Sequence, residues 1–212
     1  LSIILAAIKN ADLNDLTNSP DITSDQVMFI AAALVLGIIL FRPEEAKELI
    51  KKLLQMQKRN GSAWHQFNPK TMIPSGGDSE QYDEGPRYYG DDHLWIILAV
   101  SFYCKETGDL EFLDEIIPFY DKDKDENPDE KGTVLEHLIR ALRFTRGDIG
   151  RHALPLLGFA DWNDSVNLGQ GAESLFVANL FGTALKEMIK FFQFLDHESG
   201  IRELKDCYSE MK

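Results

Sequence analysis

The sequence predicts an all-α protein built as an α/α toroid, an inner ring of buried helices wrapped by an outer ring of half-buried ones. Three observations predict it. Helical periodicity runs through nearly all of the 212 residues, and no convincing strand alternation appears. Segments that are apolar all round (23–41, 91–107 and 171–195) alternate with segments apolar along one stripe (43–60, 132–147 and 200–212). Long polar loops, 61–90 and 148–170, lead into two of the apolar segments. Three inner–outer pairs make about half of such a ring. An ordinary helical bundle is the alternative, but a bundle has no need of long polar loops at one end.

Each element has its own local reason. Residues 1 to about 16 read as the end of one helix. "TSDQVMFIAAALVLGIILF" opens on N-cap candidates Thr23 and Ser24 and is apolar all round. Its apolar run, Val27 to Phe41, is fifteen residues. That is short of the roughly 20 a bilayer requires, so it reads as a buried core helix. "RPEEAKELIKKLLQMQKR" places Pro43, Glu44 and Glu45 in a first turn and bases at the far end, as the helix dipole favours. Its apolar residues Ala46, Leu49, Ile50, Leu53, Leu54 and Met56 form one stripe.

"DDHLWIILAVSFYCKETGD" is again apolar over most of its circumference, and "LEFLDEIIPFY" reads as a short helix. The acidic stretch "DKDKDENPDEK" (121–131) has no aromatic residue and reads as a solvated loop. "GTVLEHLIRALRFTRG" is amphipathic, with Val134, Leu135, Leu138, Ala141 and Leu142 on one face. "GAESLFVANLFGTALKEMIKFFQFLDHE" is long and mostly apolar, and "GIRELKDCYSEMK" is amphipathic. The chain opens inside an apolar segment without a cap and closes inside a helical pattern without a Gly or Pro stop. It reads as one partial domain, residues 1–212, of a longer polypeptide.

Composition narrows the partners. Net charge is −13 and Lys and Arg do not cluster, which argues against nucleic acid and against anionic membrane surfaces. The two cysteines, Cys104 and Cys207, lack metal-like spacing and fall in helical patterns. They read as free thiols of a reducing compartment, the cytoplasm, with a disulfide left open as the alternative. No signal peptide is expected, because no basic segment precedes an apolar one with a cleavage site.

The two loops carry the chemistry. Helix–helix connections usually run about 2–8 residues, so loops of this length call for a function. If the inner helices run in parallel, both loops open on the same end of the ring. The first loop holds "SAWHQFNP" and ends in "GPRYYGDDHLW"; the second holds "ADWND". Arg, Asp, His, Trp and Tyr then converge on one mouth. Aromatic rings stack on the C–H faces of sugars, while Asp, Asn and Arg bind hydroxyls. A carboxyl group beside an aromatic ring is partly desolvated, which raises its pKa and keeps a proton ready for a leaving oxygen.

Asp164 beside Trp162 fits that pattern. The alternative is that Asp161, Asn163 and Asp164 cap a turn and the next helix. Asp91 is an N-cap candidate, leaving Asp92 or His93 to face the pocket. "DDH" offers metal-ligating atoms, but adjacent residues at a helix start point in different directions and no HxxxH or CxxC spacing accompanies them. No metal is expected; His65 and His93 read as hydrogen-bonding or stacking residues. There is no GxSxG and no phosphate loop of the GxxxxGK[ST] type.

"GDDHLWIILAVSFYCKETGDLEFLDEIIPF", "GTVLEHLIRAL" and "LPLLGFADWNDSVNLGQGAESLFVANLF" together resemble the catalytic domain of glycoside hydrolase family 94. This is the cellobiose and chitobiose phosphorylase family, once classed as glycosyltransferase family 36. The likeness runs from about residue 43 to the end, with the order and spacing of several motifs kept. It implies an (α/α)6 barrel and inverting phosphorolysis of a β-linked disaccharide, which releases a sugar 1-phosphate.

The resemblance implies Asp164 as general acid and Trp162 as part of the sugar site. It assigns Arg87 and Asp92 to the donor sugar; His65 and His93, read as hydrogen-bonding or stacking residues, join them as substrate-binding candidates. It implies no cofactor, with inorganic phosphate as co-substrate. A homodimer is left open. The chain departs from the family pattern at three places. Three residues separate Arg87 from the Asp pair, where four are expected; "HWWHP" appears as "WHQFNP", keeping His65 and Pro69; and helix 23–41 keeps only Asp25 and Gln26 of "RDQLQD".

The groups that hold phosphate are expected downstream of Lys212, so the 212-residue piece alone is expected to be inactive. An α/α-toroid glycoside hydrolase that uses water and a second carboxylate is the second reading. A non-catalytic carbohydrate-binding fragment is the third.

Overall fold

The computed structural model describes residues 37–68, 70–120 and 130–210. The helix ending near residue 16, all but the last five residues of segment 23–41, most of the acidic loop 121–131, and Pro69 lie outside the described residues. Five α-helices are bounded within them: α1 (Pro43–Gln55), α2 (Asp92–Thr107), α3 (Val134–Gly147), α4 (Leu175–Phe194) and α5 (Glu198–Glu210). Among the described residues no helix is long and apolar enough to cross a membrane.

Local chemistry sets the helix ends. Pro43 opens α1, where its missing N–H costs nothing. The hydroxyls of Thr133 and Ser174 cap α3 and α4, accepting from the backbone N–H of Glu136 and Val177 at 3.1 Å each. α2 stops at Gly108, whose N–H returns to the Cys104 carbonyl at 2.9 Å.

Burial sorts the helices into two kinds. α2 buries eleven of its sixteen residues and α4 eleven of twenty, against five of thirteen in α1 and six of fourteen in α3. Of the segments read as apolar all round, the two described helices, α2 and α4, are the more deeply buried. Contacts also fix their directions. Trp95 and Phe176, at the starts of α2 and α4, lie 6.5 Å apart. Further along, Ser101 Oγ donates to Glu187 at 2.9 Å and Lys105 pairs with the same carboxylate. α2 and α4 thus run side by side in the same sense.

The other three helices run against them. Lys47, near the start of α1, reaches Asp109 past the end of α2 at 2.8 Å. His93, at the start of α2, meets Thr145 at the end of α3 at 2.6 Å. Phe192 stacks on His197 across the tight turn from α4 to α5, and Lys186 lies 5.3 Å above the Tyr208 ring. Two parallel buried helices flanked by antiparallel half-buried ones agree with the inner–outer alternation.

Several elements differ from expectation. "LEFLDEIIPFY" is one 3-10 turn, Glu111–Asp114, followed by strand β3 (Ile116–Pro118). β3 pairs antiparallel with β4 (Lys131–Thr133), Ile117 opposite Gly132. The β-branched Ile116 and Ile117 and the following proline favour extended backbone over a further helical turn. β4 also delays α3 to Val134. A second pair, β1 (Gln66–Phe67) with β2 (Pro74–Ser75), sits in the first long loop. Strands of two or three residues are too short to display an alternation. Both cysteines are free and buried.

Candidate active site

The two long loops meet at the N-terminal ends of α2 and α4. Tyr89 and Gly158 form an antiparallel bridge. Gly90 N–H donates to the Ala160 carbonyl at 2.9 Å, and Phe159 N–H to the Tyr88 carbonyl at 2.8 Å. The approach depends on Gly158, which has a φ of +70°; a Cβ there would lie 2.5 Å from the Tyr88 carbonyl oxygen. The sequence expectation that both loops open on one end agrees with this seam.

Three consecutive residues at the start of α2 point three ways. Asp91 occupies the N-cap position but makes no side-chain cap; its Oδ2 accepts from Trp95 Nε1 at 2.9 Å. Burial, then the charge of Asp92, pushes the Asp91 carboxyl up to about 8, so it is largely protonated at neutral pH. Asp92 turns toward the first loop and takes a 3.1 Å hydrogen bond from His65 Nδ1. His93 turns into the core, where Nε2 meets Thr145 Oγ1 and the ring stands edge-on to Phe144. Burial lowers its pKa to about 3, and its Nδ1 has no hydrogen-bond partner.

His65 is held from two sides. Its ring lies on Tyr89 with centroids 3.5 Å apart and planes 10° apart, and its Nδ1 is fixed by Asp92. Burial alone would lower the His65 pKa; the hydrogen bond and charge of Asp92, with Asp164 and Asp91 beyond, outweigh it and carry it upward. Burial pushes the Asp92 carboxyl up, and the hydrogen bond and charge of His65 oppose it, so the two groups titrate as a pair.

Asp164 shares a polar cleft of about 350 Å³ with His65, Gln66, Ser75, Gly77, Asp78, Gln81 and Tyr89. Its carboxyl is raised, first by desolvation and further by Asp78 and Asp161, with His65 opposing. The loop behind it is tied down by Asp161, whose Oδ1 accepts from Asn163 N–H at 3.1 Å and whose Oδ2 accepts from Ser174 Oγ at 2.5 Å. Ser174, not an aspartate of the loop, is the cap of α4.

The remaining candidates lie around this cleft rather than on its wall. Asp92 stands behind His65, 5% exposed. Trp162 is 45% exposed and packs beside Trp95 (5.5 Å) and Phe176 (6.3 Å), an aromatic platform at the start of both inner helices. The Arg87 guanidinium donates to the carbonyls of Ser79 (2.7 Å) and Asp83 (3.4 Å), clamping the first loop from outside. His93 packs against α3 and does not line the cleft. Among the described residues no group of three or more His, Cys, Asp or Glu is placed to hold a metal ion.

Tyr89, Asp78, Gln66, Ser75 and Gln81 complete the wall and were not singled out from the sequence. Tyr89 lies inside "GPRYYGDDHLW", so proximity could have found it. "PSGGDSEQ" reads as an ordinary turn and carries no signal.

Comparison with known proteins places the chain in a family. Residues 31–212 match the glycosyl hydrolase 94 superfamily, catalytic domain, and the chain belongs to that family. It is 33% identical over 180 residues to the solabiose phosphorylase of Paenibacillus borealis, covering 83% of this chain and 21% of that protein. It is 31% identical over 184 residues to the N,N'-diacetylchitobiose phosphorylase of Vibrio proteolyticus, covering 80% and 22%. A 3-O-beta-D-glucopyranosyl-beta-D-glucuronide phosphorylase of Paenibacillus borealis is 27% identical over 173 residues, covering 80% and 21%. The chain spans about a fifth of the length of these relatives.

Proposed function

We propose that the full protein is an inverting glycoside phosphorylase: it cleaves a β-linked disaccharide or oligosaccharide with inorganic phosphate and releases a sugar 1-phosphate. The observation that carries this reading is Asp164, a carboxyl group with raised pKa in the same polar cleft as His65, whose ring is backed by Asp92. The phosphorylase names of the relatives support it.

In this reading Asp164, protonated, donates to the glycosidic oxygen as that bond breaks, and a phosphate oxygen attacks C1 from the opposite face. The proton carried by hydrogen phosphate replaces the one Asp164 gave up, so the cycle balances. Phosphate is itself an anionic nucleophile, and no second carboxylate is needed to activate it. His65 and Asp92 act as a unit on the donor sugar, Trp162 offers its face to a sugar ring, and Arg87 holds the first loop in place. His93 serves the core instead. Phosphate is held by groups beyond Lys212, no metal or organic cofactor takes part, and the enzyme works in the cytoplasm.

The test is to incubate the full-length protein with β-linked disaccharides, with and without phosphate, and to follow products by NMR. Phosphate-dependent release of an α-configured sugar 1-phosphate supports the proposal. Release of free sugars at the same rate without phosphate indicates a hydrolase and overturns it; binding without turnover leaves a carbohydrate-binding module.

A further inference from the structure

The cleft beside Asp164 owes much of its polar wall to residues 66–81. Strands β1 and β2 place Gln66 opposite Ser75, with Phe67 buried beneath them as the anchor. A 3-10 turn, Gly77–Gln81, follows at once. Gly77 has a φ of +58°, and a Cβ there would stand 2.8 Å from His65 Cδ2 and 3.2 Å from the Tyr89 hydroxyl. Only glycine brings the turn this close to the His65–Tyr89 stack. The turn is then fixed: the Asp78 backbone hydrogen-bonds the Tyr89 phenol, Ser79 Oγ donates to the Gly76 carbonyl at 2.6 Å, and Arg87 clamps the Ser79 carbonyl. Its outcome is a pair of side chains on the cleft wall, with Gln81 Nε2 donating to Asp78 Oδ1 at 2.7 Å.

We infer that Asp78 and Gln81 determine sugar specificity, taking neighbouring hydroxyls of a neutral hexose unit and excluding acidic sugars. This rests on the phosphorylase reading and adds the class of sugar to it. A carboxylate and a carboxamide side by side supply acceptors and a donor, the complement of two adjacent hydroxyls that each donate and accept. The charge balance of the cleft decides against a uronate. Asp78 lines it as a carboxylate; Asp164, also on the wall, is protonated in the reacting state, and the charge of His65 is offset by Asp92 directly behind it. A sugar carboxylate entering here meets like charge at short range.

The experiment uses the full-length protein in the synthetic direction. Glucose 1-phosphate, its singly deoxygenated analogues and glucuronic acid 1-phosphate serve as donors, with wild type, Asp78→Ala, Asp78→Asn and Gln81→Ala compared. The wild type is expected to prefer neutral donors over the uronate by about 100-fold or more in kcat/KM. Asp78→Ala is expected to lose about 10–100-fold on glucose 1-phosphate but little on the one analogue lacking the hydroxyl it held. Asp78→Asn, which keeps shape and removes charge, is expected to narrow the neutral-to-uronate ratio by about 10-fold.

Equal use of the uronate by wild type, or the same loss on every analogue with Asp78→Ala, overturns the inference. Asp78 is exposed, so these variants should melt with the wild type. If no donor supports synthesis, the phosphorylase reading fails by itself. Calorimetric binding of glucose against glucuronate to wild type and Asp78→Ala then decides the specificity question, equal affinities counting against it.

Discussion

His65 donates from Nδ1 to Asp92 Oδ2 across 3.1 Å while its ring lies 3.5 Å from the Tyr89 ring, so one histidine joins the first loop to the start of α2. Removing it strands a buried carboxylate, and losing one partner of a buried pair costs about 3–5 kcal/mol. His65→Ala is therefore expected to lower stability by that order in chemical denaturation. His65→Asn, which can still donate to Asp92, should recover part of it and restore sugar affinity more than the alanine does. Equal melting of His65→Ala and wild type would show that the pair contributes nothing.

Asp91 gives a pH prediction with a definite sign. Its folded pKa, about 8, lies above the ordinary aspartate value of 3.8, so the folded state holds a proton that the unfolded state releases. Stability from this group is complete below pH 3.8 and declines as pH rises toward 8, by about 1.4 kcal/mol per pH unit at most. Asp91→Asn keeps an oxygen for the Trp95 indole but cannot ionise. The variant should match wild type near pH 4 and exceed it by a kcal/mol or more at pH 7–8, on the order expected from that slope. A constant difference across the range would place the proton elsewhere.

The Ser174 hydroxyl serves two elements, donating to Asp161 and accepting from Val177 N–H. Ser174→Ala is expected to cost about 1 kcal/mol as a lost cap. It also frees the loop that carries Asp164, so kcat should fall more than KM changes, and Ser174→Thr should restore both. Loss of stability with kcat untouched would limit Ser174 to capping.

Much of the fold could be read from residue patterns, for physical reasons. α2 is apolar over most of its circumference because its neighbours bury most of it. α4 is mostly apolar but leaves one face with Leu175, Phe176 and Phe194 exposed, and the stripes of α1 and α3 are buried as their spacing demands. β3 and β4 could not be read, since three residues carry no period, and apolar "EIIP" is compatible with helix or strand. The site divides the same way. "DDH" was visible as a cluster, yet successive helical residues diverge by about 100°. That geometry sends Asp91 to Trp95, Asp92 to His65 and His93 to Thr145. Asp78 depends on a glycine turn closing against a stacked His–Tyr pair, a tertiary event with no local signature.

The most direct measurement is phosphorolysis of a β-disaccharide by the full-length Asp164→Asn variant, compared with the same variant acting on the matching glycosyl fluoride. The amide keeps the shape of the carboxyl but cannot donate a proton. General acid catalysis contributes about 10²–10⁴-fold, so the natural substrate should lose a rate of that order, while fluoride, which departs without protonation, should recover part of it. Folding should be unchanged, because Asp164 lies at the exposed cleft wall. Wild-type turnover of the disaccharide by Asp164→Asn would contradict the account and make Asp164 a turn residue.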